Sequence, residues 1–430
     1  MYATFNGGEL DYWNSLSKSL KSKGFQLFLL APRLPDKYYH FSCEIFIEKL
    51  DNIPLRKVGN EIDHFSDLDK YLNREAVWYG NGGKDRETAV KLKIEKYDKI
   101  LNELNPCYVL VSNGQHASEL VFIDQIKRKK IPYGFFERGC LPNSWHFDDY
   151  GITAGTTIAK KKINQLKLPV QTTSFRKYKD SYLNKLETWW EQPNLNILNN
   201  IRRKHKISSS TKLILFVNQL DNDTSNFLYS PFFKSNLEAF KWFLNELLDI
   251  ECFVLVKKHP KYLGSGEEFI HALNNSQLRG AWVEDISLFD CINQCDYLCA
   301  VNSTVIYEGL IFDKPVLQLG QSILSNKDIV YELKSLEDRK IILSWLKFEE
   351  LNNRIDNFHK FMSYMIENEL SFFSPIDTEF NGHKLFLNII LNRLDFNRNG
   401  TKNLSFGKKY IRQQKTHILL KIIKKLKFYS

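Results

Sequence analysis

The sequence predicts an α/β protein made of two Rossmann-like domains in tandem, and three observations predict it. Short apolar runs alternate with stretches of helical periodicity in the N-terminal half. The same alternation restarts near residue 212. A polar, lysine-rich stretch without strand signal, about 155–205, lies between the two series. Strands separated by helices of roughly 10–20 residues imply parallel βαβ units. At 430 residues the chain exceeds one compact core and suits two domains.

The first series begins with FQLFLLA (25–31), a buried strand. Residues 84–104 carry helical periodicity, and Pro106 stops that helix. CYVLVSN (107–113) is the next strand, 115–130 the next helix, and YGFFE (133–137) another strand. The second series runs KLILFVNQ (212–219), a helix in 236–249, FVLVKK (253–258), WVE (282–284) and a helix in ISLFDCINQ. It continues with YLCAVN (297–302), a helix from Ser303, and PVLQLG (315–320). This organisation gives an N-terminal domain over 1–190, a second domain over 191–335, helices packing back across the domains over 336–400, and a tail over 401–430.

Composition is that of an ordinary globular protein, with 43% hydrophobic and 26% charged residues. The start, MYATFNGGELDYW, lacks a basic segment followed by an apolar one, and no apolar run reaches the ~18–20 residues that span a bilayer. A cytoplasmic protein is expected. Seven scattered cysteines suit reduced thiols. Cys291, Cys295 and Cys299 read as core residues at the end of a helix and in a strand, not as a metal site.

The net charge of +10 belongs to the end of the chain. After Asp395 there is no acidic residue, while ten Lys and Arg residues follow, from Arg398 to Lys427. In THILLKIIKKLKF, Leu419, Ile422, Ile423 and Leu426 fall at helical spacing between lysines. That pattern fits an amphipathic helix on an anionic inner leaflet, at ~1 kcal/mol per basic residue. A tail that docks on the protein, or a disordered basic end, is the other reading. The tail lacks interleaved aromatics, so a nucleic-acid partner is not expected.

Tandem Rossmann-like domains bind ligands in the crevice at the carboxyl ends of their strands. No G-x-G-x-x-G follows a strand and no G-x-x-x-x-G-K-[ST] is present, which sets aside dinucleotide and P-loop chemistry and leaves other nucleotide users. Lys258 and His259 follow one strand. Ser303 and Thr304 follow another and open a helix with Glu308 one turn in. Hydroxyls and N–H groups at a helix start suit a phosphate, and a carboxylate suits a ribose diol. Alternatively Ser303 is a simple cap and K-K-H-P a solvated corner. The loop after KLILFV holds Gln219, Asp221 and Asp223, where Asp223 could instead cap the next helix. In the first domain Asn113 ends one strand. Glu137 and Arg138 end the next, and a Gly/Pro loop with Asp148 and Asp149 follows.

These segments resemble, in order, the retaining β-Kdo glycosyltransferases of bacterial capsule and lipopolysaccharide synthesis. E-R-G-C-L-P-N-S-W-H-F-D-D-Y-G-I (137–152) resembles their E-x-G-x-L-P … D-x-x-G-[VI]. Q-L-D-N-D-T-S (219–225) resembles Q-x-x-x-D-[AT]-S. K-K-H-P and N-S-T-V-I-Y-E-G-L with Lys314-Pro315 resemble the nucleotide motifs HP and S-[ST]-x-x-x-E. The resemblance implies a GT-B fold with an interdomain cleft and transfer of Kdo from CMP-β-Kdo by double displacement. Asp223 would be the nucleophile and Glu137 the acid/base partner. Lys258, His259, Ser303, Thr304 and Glu308 would hold CMP. Gln219, Arg138, Asn113 and Asp148 would lie on the substrate side. No metal is expected, and the acceptor would be a glycan, lipid-linked. Arg138 after Glu137 and Asn218 before Gln219 depart from the family pattern. An inverting CMP-sialic acid or CDP-polyol transferase, or a non-catalytic assembly subunit of the same fold, is the alternative.

Overall fold

A computed structural model of the chain describes residues 7–31, 44–47, 69, 71–73, 85–185, 201–373, 382–400 and 416–421. The chain forms two compact units. Unit 1 comprises 1–139, 143–152 and 368–430, and unit 2 comprises 140–142 and 153–367.

The chain enters unit 1 with helix α1 (Gly7–Ser22), whose Trp13, Leu16 and Leu20 recur at helical spacing and are buried. Strands β1 (Phe25–Ala31) and β2 (Glu44–Ile47) follow and pair in parallel. Helix α2 (Asp85–Leu104) buries Val90, Ile94, Tyr97, Leu101 and Leu104 along one stripe. It stops where Asn105 turns left-handed (φ 41°) just before Pro106. Strand β3 (Tyr108–Ser112), helix α3 (Ala117–Arg128) and strand β4 (Tyr133–Arg138) make a parallel βαβ unit around Val109, Val111, Val121, Phe122 and Phe135.

Here the structure departs from the expected loop. Within the Gly/Pro segment, Ser144–Asp148 forms β5, antiparallel to β4 with Glu137 opposite His146 and Arg138 opposite Trp145. The polar residues of S-W-H-F-D are all buried, because β5 is covered on both edges.

Unit 2 begins at Thr153, so the stretch 153–185 leaves the N-terminal domain drawn at residue 190. It includes helix α4 (Thr173–Lys185). Strand β6 (Lys212–Val217) leads to the six-residue helix α5 (Thr224–Tyr229) and then to α6 (Asn236–Glu246). Strand β7 (Cys252–Lys257), helix α7 (Glu267–Ser276), strand β8 (Arg279–Val283) and helix α8 (Leu288–Gln294) come next. Strand β9 (Tyr297–Ala300), helix α9 (Val305–Ile311), strand β10 (Val316–Gln318) and strand β11 (Tyr331–Glu332) complete a six-stranded parallel sheet. Its order is β11-β10-β9-β6-β7-β8. Its central strands are continuous apolar runs, as parallel strands covered on both faces must be. Phe216, Phe240, Phe243, Val254, Cys299 and Trp345 meet in one core. Cys291, Cys295 and Cys299 are all buried, and burial pushes the first two thiols up to about 12 and raises the third well above its ordinary value.

Helices α10 (Arg339–Leu346) and α11 (Leu351–Asn368) stay with unit 2 as far as Glu367. The chain then rejoins unit 1 with β12 (Leu370–Phe372), antiparallel to β5, and α12 (Gly382–Gly400). Of the 336–400 segment, therefore, only its last part belongs with the first sheet.

The tail brings the largest correction. Thr416–Lys421 is strand β13, parallel to β1 on one side and β3 on the other, in a seven-stranded sheet ordered β12-β5-β4-β3-β13-β1-β2. The amphipathic helix expected within 401–430 does not hold for Thr416–Lys421. H-I-L-L has apolar neighbours in both registers, which satisfies a sheet interior as well as a helical stripe. Ile422, Ile423 and Leu426 lie outside the described residues.

Candidate functional site

Parallel register aligns the strand ends of unit 2. Val217 is level with Lys257 and Phe216 with Cys299. Counting on puts Gln219, His259 and Asn302 at one level, just beyond the carboxyl ends of β6, β7 and β9. Gln219 Nε2 donates to Asn302 Oδ1 at 3.1 Å, and Asn302 N donates to Gln219 Oε1 at 3.0 Å. Asn302 Nδ2 then donates to the carbonyls of Ser225 (2.8 Å) and Tyr229 (3.2 Å), which ties α5 to the same strand end.

Asp223 sits at the N-cap of α5. Its side chain accepts from Ser225 N at 2.9 Å and is exposed. The capping alternative thus describes one thing this carboxylate does, and the residue stays exposed while doing it. Asp221 accepts from Asn236 N at 2.6 Å and anchors the other end of the loop.

His259 Nδ1 accepts from Lys261 N at 3.1 Å, which puts the ring proton on Nε2 when the imidazole is neutral. Lys258 pairs with Glu284 at 2.9 Å, and that hydrogen bond holds the Glu284 carboxyl below its ordinary value. Ser303 Oγ accepts from Val305 N at 3.3 Å, and Thr304 is exposed at the N-cap of the seven-residue α9 without a side-chain cap bond. Glu308 is buried in α9, and its Oε2 has no hydrogen-bond partner. Desolvation pushes its carboxyl up to about 8.

Residues 155–341 match the family model described as capsule polysaccharide biosynthesis protein. That span holds the Q-L-D-N-D-T-S, K-K-H-P and N-S-T-V-I-Y-E segments, whereas E-R-G-C-L-P precedes it. Among solved structures the chain is similar to Thermosulfurimonas dismutans KpsC β-Kdo 2,7-transferase, with 15% identity over 67% of this chain and 86% of that one (TM-score 0.35). It is similar to the KpsC β-Kdo 2,4-transferase of the same organism, with 15% identity over 58% and 78% (TM-score 0.40). It is also similar to S. aureus MnaA, solved with UDP, with 12% identity over 87% and 97% (TM-score 0.36). No curated protein matches the chain.

In unit 1, Glu137 stands near the end of β4. Its Oε2 accepts from Asn113 Nδ2 at 2.8 Å and its Oε1 from Arg138 N at 2.9 Å. Asn113 is left-handed (φ 62°), the conformation that lets it end β3 and turn its amide back. The Arg138 guanidinium lies 5.5 Å from the Trp145 ring centroid and 5.9 Å from that of Phe373, a cation–π seat on the opposite face of the sheet from Glu137. Asp148 Oδ1 accepts from Tyr150 N (2.7 Å) and Gly151 N (3.2 Å), closing the turn, and Asp149 pairs with Arg393 at 2.8 Å.

Two supports escaped sequence reasoning. Gly320 lies where a Cβ would stand 2.9 Å from Tyr229 O and 3.2 Å from Asn302 Nδ2, so only glycine lets the loop after β10 meet α5. Lys327 is fully buried and donates to the carbonyls of Ala159, Lys161 and Ser325, over the Phe361 ring. Burial lowers its ammonium to about 8. A glycine after a strand is a legible signal, whereas a lysine gives none, since lysines are mostly exposed.

Proposed function

We propose that the chain is a retaining glycosyltransferase of capsule or lipopolysaccharide synthesis, moving Kdo from CMP-β-Kdo to a saccharide acceptor carried on lipid. The observation that carries this reading is the Gln219–Asn302 clasp. It holds the helix capped by Asp223 against the strand end that bears Ser303, with His259 level with Gln219 on the neighbouring strand.

In this reading His259, Ser303 and Thr304 meet the CMP phosphate, with Lys258 adding charge from its ion pair. The ribose hydroxyls turn the unpartnered Glu308 carboxyl into a satisfied one. Asp223 attacks the anomeric carbon, the carbon–oxygen bond to phosphate breaks, and CMP leaves as the anion. The acceptor hydroxyl then attacks from the opposite face and returns the electron pair to Asp223, so two inversions give retention. Glu137 takes the hydroxyl proton. Both its oxygens accept N–H bonds, the way an ionised carboxylate is held. The phosphate charge is met by side chains, and no metal enters the scheme.

The test is mass spectrometry of the protein incubated with CMP-Kdo and no acceptor. A mass gain of one Kdo on Asp223 is expected. Asp223→Asn should abolish it and cut transfer at least 10³-fold while keeping the fold, because Asn caps a helix as well as Asp. Product of inverted configuration, with no adduct, would favour the CMP-sialic acid or CDP-polyol reading. CMP release no faster than in the variant would favour the assembly subunit.

A further inference from the structure

His146 belongs to β5, the strand hidden in the Gly/Pro segment. It lies directly opposite Glu137 on antiparallel β4, so the two side chains share one face of the sheet. Such facing residues have Cβ atoms about 4.5–5.5 Å apart. The same face is confirmed one pair further on, where a Cβ at Gly139 would stand 2.2 Å from Ser144 Oγ and 2.8 Å from Leu370 Cδ2. His146 is buried, and its Nε2 lies 3.7 Å from Glu369 Oε2 and makes no hydrogen bond. His146 thus pairs across the strands with Glu137 on β4, and its Nε2 lies near a second carboxylate, Glu369, at the entry to β12. Asp148, on the same face of β5, is committed to the turn through Tyr150 N and Gly151 N. Arg138 is turned to the other face, over Trp145.

We propose that His146 is a positioning residue that sets the charge and orientation of Glu137 for the second half-reaction, an inference that rests on Glu137 being the base. When the acceptor oxygen bonds to the anomeric carbon and the bond to Asp223 breaks, the hydroxyl proton moves to Glu137. His146, paired across the strands with Glu137 and with Glu369 3.7 Å from its Nε2, holds Glu137 aimed beforehand. Donor cleavage moves no proton and does not need it.

Two measurements test this on the full chain. The first is the pH titration of the His146 ring by NMR, in the wild type, Glu137→Gln and Glu369→Gln. The pH at which its signals move should fall in both variants, and an unchanged titration in Glu137→Gln overturns the proposal whatever the protein's activity. The second compares half-reactions in His146→Gln. Adduct formation from CMP-Kdo should stay within twofold of wild type, while transfer falls at least tenfold. Equal loss of both halves in a folded variant, or transfer at the wild-type rate, overturns it. If the wild type forms no adduct at all, the Asp223 reading fails, and the titration still decides the role of His146.

Discussion

Gln219 and Asn302 bind each other twice, side chain to side chain and side chain to backbone, although 83 positions separate them. Both are buried, so neither has water to fall back on. Gln219→Ala would leave the Asn302 N–H and its carboxamide oxygen without partners. An uncompensated buried donor or acceptor costs ~1–3 kcal/mol. Chemical unfolding should show a loss in that range, with Gln219→Glu recovering less than half of it because a carboxylate cannot donate to Oδ1.

Gly320→Ala should be nearly as damaging for a different reason. The new methyl would press on Tyr229 O and on Val301 Cγ1, both at 2.9 Å. One side is backbone and cannot rotate away. Overpacking of this kind costs ~1–3 kcal/mol. It also displaces α5, so transfer should fall with stability. Thermal unfolding and activity read together check this.

Glu308 gives a pH signature. Its folded-state value is raised, from 4.5 to about 8, by burial. Below pH 4.5 it is neutral in both folded and unfolded chains and costs nothing. As pH rises from 4.5 towards 8 the unfolded chain releases the proton first, and stability falls. The loss is on the order of a few kcal/mol across that window. Glu308→Gln should remove this component and unfold at higher denaturant than wild type at pH 8, with little difference at pH 4.5. Lys327, lowered to about 8, begins to titrate at the upper edge of that window, but it is common to both proteins and cancels in their difference.

Much of the fold is legible in the order of the amino acids. β6, β7 and β9 are unbroken apolar runs with polar residues at their ends, and a strand buried on both faces can look no other way. Helix α2 announces itself by period and by Pro106. The Gln219–Asn302 clasp is not legible, because it exists only once β6 and β9 lie side by side in register. β5 is hidden because Ser144, His146 and Asp148 are polar residues between Gly139 and Gly151. What makes them strand is the pair of neighbours that covers them, and β12 comes more than two hundred residues later. The tail misleads for the opposite reason. Leu419 fits a helical stripe and a sheet interior equally, and only β1 and β3 decide between them.

The insertion of β13 between β1 and β3 also orders the birth of the molecule. Phe25 waits for Thr416, and Tyr108 waits for Ile418. While the ribosome is still working, the middle of the chain can close its own sheet, β6 to β11, whereas the first-made strands face each other across an empty slot. A chain stopped before Thr416 would leave two apolar strand edges open to any passing partner. A segment made late thus serves as the keystone of the part translated first.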